Sequence, residues 1–153
     1  MLSIGIKFIA GRYHATEWGR HVNEGVLEWP PSLWRLLRAL VSCWLLSSPH
    51  LSADEFLPIL EALASTPPAY KLPPASVGHS RHYMPWSKKG PDNRTLVFDT
   101  FVSLEPTSEL VITWPDVELT SDQRDILHCL LDRLQYLGRA ESWCEARLIE
   151  GTV

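Results

Sequence analysis

The chain has 153 residues, 45% of them hydrophobic, with 14 Lys/Arg against 18 Asp/Glu and a formal net charge of −4. That length suits one globular domain, spanning 1–153, and the composition excludes wholesale disorder. The charge balance argues against a uniformly basic nucleic-acid protein and leaves room for a basic face.

Leu2 to Ala10 alternates Ile4, Ile6 and Phe8 with Ser3, Gly5 and Lys7, a period of two that predicts a strand ending at Gly11. An irregular aromatic-rich segment follows to Glu28. Trp29-Pro30-Pro31-Ser32 predicts a helix start, because proline is tolerated in a first helical turn. Leu33, Leu36, Leu37, Leu40, Val41 and Trp44 then recur at helical spacing until Ser48 and Pro49. Ser52 and Glu55 form a capping box for a second helix, which Pro58 is expected to kink or shorten. Gly78 to Met84 reads as a strand with His79, Arg81 and Tyr83 on one face, and Pro85 to Arg94 as a loop. Thr95–Leu104 and Leu110–Trp114 read as strands, taken together as the central hairpin. Thr120 and Gln123 cap a third helix carrying Ile126 to Leu137, with Gly138 as its expected C-cap, and Trp143 to Ile149 reads as a last strand.

Strand, helix, strand, strand, helix, strand is the order of an α+β, ferredoxin-like (βαββαβ) domain. An extra helix and a basic hairpin arm are inserted at about 50–94. Cys43, Cys129 and Cys144 are odd in number and lack CxxC spacing, so they are read as buried apolar residues of a reducing compartment. The apolar run Leu36–Leu46 carries Arg38 and is shorter than the roughly 20 residues a bilayer needs. A cytoplasmic protein without a membrane segment is expected.

Charge is segregated along the chain. Residues 69–94 carry five Lys/Arg against one acid, and residues 95–132 one against eight. Three clusters suit RNA. Arg12, Tyr13, His14, Trp18, Arg20 and His21 interleave cations with rings, which suits phosphates and unpaired bases. His79, Arg81, His82, Tyr83, Lys88 and Lys89 make the most basic stretch. Arg35 and Arg38 follow Ser32 at a helix start, where free N–H groups attract anions. The alternatives are a packed loop, a solvated strand and an exposed arginine stripe, respectively. His79 and His82 lack the third ligand of a catalytic zinc, so neither a metal nor another cofactor is expected. Arg139 and Glu141, in the stretch from Tyr136 to Trp143, are read as an ion pair or as ligand-orienting groups.

Five stretches carry a resemblance: 11–21, 28–40, 72–75, 78–85 and 136–143, the last reading Tyr-Leu-Gly-Arg-Ala-Glu-Ser-Trp. Together they resemble the CRISPR-associated RAMP superfamily. More narrowly, they resemble the N-terminal, Cas-five-like half of the type I-G subunit that fuses a Cas-five-like to a Cas-six-like part. The resemblance implies a subunit of a type I interference complex that holds the 5′ handle of the CRISPR RNA beside other subunits. It also implies metal-independent cleavage of precursor RNA in the Cas-six-like part, which has no counterpart in this sequence. The expected function is therefore RNA binding. The alternatives are an endoribonuclease using His14, His21, His79 or His82, and a scaffold whose acidic 95–132 surface meets a basic neighbour.

Overall fold

A computed structural model of the protein describes residues 1–21, 24–85 and 94–149. The elements run β1 (Leu2–Phe8), β2 (Arg12–Tyr13), α1 (Leu33–Ser47), α2 (Ala53–Ser65), β3 (Ala69–Lys71), β4 (Ala75–Pro85), β5 (Arg94–Leu104), β6 (Leu110–Trp114), α3 (Ser121–Leu131) and β7 (Cys144–Ile149).

Four strands form an antiparallel sheet in the order β3-β6-β1-β7. With α1 and α2 between β1 and β3, and α3 between β6 and β7, this is the ferredoxin-like topology expected from the sequence. The alternation in β1 sets the two faces of the sheet. Leu2, Ile4, Ile6 and Phe8 join Leu110, Ile112, Trp114, Cys144 and Ala146 in the core beneath the helices. Ser3, Gly5 and Lys7 point the other way, beside Val111, Thr113 and Arg147. Among the described residues no aromatic side chain lies on that open face, so it lacks the ring platform on which an RRM stacks bases.

The central hairpin differs from the expectation. Leu110–Trp114 pairs with β1 and with the short β3, at Ala69↔Thr113 to Lys71↔Val111. Thr95–Leu104 instead pairs with β4 along its whole length, from Ala75↔Leu104 to Pro85↔Arg94. β4 and β5 thus form a long arm inserted between β3 and β6, and β2 joins the base of that arm through Arg12↔Ser103 and Tyr13↔Val102. Strand patterning identifies strands but not their partners, and the five-residue gap before β6 looked like an ordinary hairpin turn.

Helix α2 runs unbroken through Pro58. The proline is exposed and gives up a single bond to the Asp54 carbonyl, while Phe56, Ile59 and Leu63 bury the opposite face. Trp44 stacks on Phe56 at 4.7 Å, and its indole N–H donates to the Leu51 carbonyl at 2.7 Å, closing the turn between α1 and α2. The Trp114 indole donates to the Leu63 carbonyl at 3.0 Å. The residue four further along is Pro67, which has no N–H to offer that carbonyl, so the indole takes its place.

Helix α3 stops at Leu131, before the C-cap expected at Gly138. Leu134 and Leu137 still enter the core, but from an irregular segment. Cys43 and Cys144 are buried, and burial pushes the Cys144 thiol up to about 12; Cys129 is exposed on α3, contrary to expectation. No described helix is long and apolar enough to cross a membrane.

Candidate nucleic-acid interface

The segment after β1 folds inward before it turns outward. Tyr13 is fully buried, with Phe8 at 5.0 Å and Trp29 at 5.4 Å between ring centroids. Its hydroxyl donates to Glu28 Oε1 at 3.3 Å. Burial, reinforced by the Glu28 charge, raises its phenol far above the ordinary tyrosine value. Tyr13 is therefore a core residue rather than a base-stacking ring. His14 is buried too. Its ring Nδ1 lies 2.7 Å from Glu141 Oε1, and its backbone N–H donates to Ser142 Oγ at 2.8 Å. The expected reach of His14 toward RNA gives way to this structural role.

Glu141 is thus taken by His14, while Arg139 pairs with Asp99 of β5 at 3.3 Å, so the expected Arg139–Glu141 pair is replaced by two others. These two pairs, with the Arg139 N–H donating to the His14 carbonyl at 2.8 Å, pin the 136–143 turn to both the body and the arm. Gly138, at φ +95°, brings the turn against the His14 carbonyl, where a Cβ would stand 2.6 Å away.

The helix start at Ser32 is also occupied from within. Glu28 Oε1 accepts from the Ser32 N–H at 2.9 Å and from Arg35 Nε at 2.7 Å, and Oε2 accepts from Arg35 Nη2 at 3.0 Å. Arg35 also donates to the Thr16 carbonyl at 2.9 Å. Burial works to raise the Glu28 carboxyl, but the hydrogen bonds from Arg35 and Ser32 outweigh it and hold it below its ordinary value. The same bond raises Arg35. The anion position of this helix is therefore filled by the protein's own carboxylate, and Arg35 is a strut rather than a phosphate contact.

Arg38, one turn on, is exposed and makes no ion pair among the described residues. Its guanidinium carbon lies 5.7 Å from the Trp18 ring and 6.0 Å from the Trp34 ring. Both indoles face solvent, at 73% and 58% exposure, an unusual cost for side chains of this size. Trp18, Trp34, Arg35, Arg38, Tyr136 and Gly138 line a concavity of about 240 Å³. Three of the stretches that carry the family resemblance, 11–21, 28–40 and 136–143, thus converge on one place. Trp34 and Tyr136 were absent from the residues expected to bind; the spacing of Trp34 and Arg38, four apart on a helix, was the available signal. Arg20 and His21 are exposed beyond this site, with Arg20 loosely flanked by Glu17 at 3.9 Å and Glu24 at 3.7 Å.

The remaining candidates lie on the arm. His79 stacks on Phe98 at 4.9 Å, Arg81 lies 5.4 Å from the same ring, and Tyr83 is exposed on that face. His82 points to the opposite face, 3.7 Å from Asp99, so strand alternation keeps the two histidines from sharing one metal ion. Arg12 lies 3.6 Å over the Phe101 ring, holding β2 to the arm. Lys88 and Lys89 lie outside the described residues. No group of three or more metal-ligating side chains occurs among the described residues.

No family model and no curated protein matches the chain. Among solved structures it is similar to Cas6 of Thermus thermophilus, with 14% identity and a TM-score of 0.42. That match covers 96% of this chain and 53% of the other, so the chain spans about half the length of that protein.

Proposed function

We propose that the chain binds single-stranded RNA, with the Trp18–Trp34–Arg38 concavity and the outer face of the arm as its contact surfaces. The observation that carries this reading is the concavity itself, where exposed aromatic rings surround a cation that has no ion-pair partner among the described residues. Rings stack on unpaired bases regardless of sequence, and a free guanidinium meets phosphate. On the arm, Arg81 and the exposed Tyr83 share one strand face, with Phe98 beneath Arg81 and His79. The narrower reading, a subunit that holds the 5′ handle of a CRISPR RNA inside an interference complex, is supported by the resemblance of the stretches that line the concavity. Cleavage draws less support, since none of His14, His21, His79 and His82 lines the concavity.

Titrating repeat-derived handle RNA at low and at moderate salt, in EDTA, tests this directly. Binding that weakens as salt rises, with the RNA intact, is the expected result. A folded sample that ignores RNA at low salt overturns the reading, and cut RNA would move the function to a nuclease.

A further inference from the structure

We infer that the concavity is a seat for one unpaired nucleotide, its base held by Trp34 and Tyr136 and its phosphate by Arg38; this rests on the RNA-binding reading. The ligand is then a single-stranded segment or a flipped base, not a duplex. Three observations lead there.

The first is size. The concavity is small, about 240 Å³, and open to solvent on one side, so a single base can lie against its rings. Stacking there needs a base whose face is free, which a base inside a duplex does not offer.

The second is charge. Two arginines line the site, but Glu28 neutralises Arg35 through two hydrogen bonds and also occupies the helix N-terminus. Among the described residues that line the concavity, only Arg38 is left to face a phosphate, with Arg20 the next cation beyond its rim, so the seat itself matches one phosphate.

The third is the polarity of the walls. Trp34, Trp18 and Tyr136 are all large, exposed and aromatic, and they come from three separate parts of the chain. The backbone under each ring is held: Trp34 sits on α1, Trp18 lies two residues after the Thr16 carbonyl that Arg35 grips, and the Tyr136 backbone bridges to Trp143. A held backbone leaves only side-chain freedom to lose when a base stacks. The neighbouring trough of about 660 Å³ between α1 and α2 shares Trp34 and Arg38, but leucines and valine dominate the rest of it. It is an apolar surface and offers no second aromatic wall.

The test uses a labelled single-stranded oligoadenylate hexamer and a blunt G·C-rich RNA duplex that stays paired at the assay temperature, against the full chain and the variants Trp34→Ala, Trp34→Phe and Tyr136→Ala. Stacking of one base corresponds to about a tenfold change in Kd. Trp34→Ala and Tyr136→Ala should each weaken the single strand by about that factor, while Trp34→Phe keeps most of the affinity. The duplex should bind more weakly than the single strand. Circular dichroism on each variant separates lost stacking from lost folding. If the parent chain binds the hexamer and the alanine variants bind it equally well, the nucleotide seat is wrong and RNA binding stands. A duplex bound as tightly as the single strand also overturns the seat. If the parent chain binds neither form, both readings fall together.

Discussion

At the scale of single residues, the site is built on groups that serve each other before they serve a ligand. The Glu28–Arg35 pair is mostly buried, and breaking it leaves one charge without its partner. Arg35→Ala should therefore cost roughly 3 kcal/mol in a thermal or denaturant melt. It should also weaken RNA indirectly, by freeing the segment that carries Trp18. Glu28 and Glu141 are both held below the ordinary glutamate value of 4.5. Their share of stability is present above that value and is lost as pH falls through their folded-state values. Melts from about pH 6 down to about pH 3 should show this loss, and Arg35→Ala should show less of it, because Glu28 then has no guanidinium to lose. Gly138→Ala is a sharper test of the turn. It adds a Cβ 2.6 Å from a backbone carbonyl at a positive φ, and should cost more than about 1 kcal/mol. Arg35 also illustrates what one-dimensional reading misses. A cation near a helix start looks ready for phosphate until the fold brings Glu28, seven residues earlier, into the same position.

At the scale of elements, local signals were reliable and pairings were not. The capping boxes at Ser52 and Thr120 formed as expected, because three-residue spacing is set within one turn. The β1 alternation likewise fixed which side chains enter the core. The length of α3 was misread because Leu134 and Leu137 continue the apolar rhythm after the helix has ended, and an irregular segment can bury leucines just as well. The hairpin was misread because partner choice depends on contacts distant in sequence. β6 finds β1 more than a hundred residues away, and that long-range pairing leaves β5 to its neighbour in sequence, β4. The last turn of α2 also uses a contact distant in sequence. Trp114→Phe keeps the ring in the core but removes the N–H that satisfies the Leu63 carbonyl. A loss of about 1–2 kcal/mol in a chemical melt is expected, with faster amide exchange in the last turn of α2.

At the scale of the whole molecule, the acidic and basic stretches of the sequence fall on different elements. Most acids of residues 95–132 lie outside the arm, on α3 and the turns around it, and Asp99 alone lies within β5. Among the exposed arginines, Arg20 and Arg38 lie on the concavity side and Arg81 on the arm, while Arg133 and Arg147 are exposed elsewhere, beside Asp132 and Glu109. Three phosphate contacts on a single strand predict a slope of log K against log salt near −2, with any contribution from Lys88 and Lys89 steepening it. Measuring Kd over a series of potassium chloride concentrations checks this, and a flat dependence would mean that phosphates are not being met. The ferredoxin-like order of elements was legible in the sequence. The convergence of 11–21, 28–40 and 136–143 was not, since nothing in spacing tells how far apart folded segments will stand.

The sheet order carries one more consequence, for the chain as it is made. β1 leaves the ribosome well before both of its neighbours, since β6 and β7 come after residue 109. Its apolar face and both its edges wait through the synthesis of both N-terminal helices and the entire arm. An arrest before Ile149 leaves one edge of that strand open, and before Leu110 both, so partly made chains should be the species that chaperones hold and that aggregate.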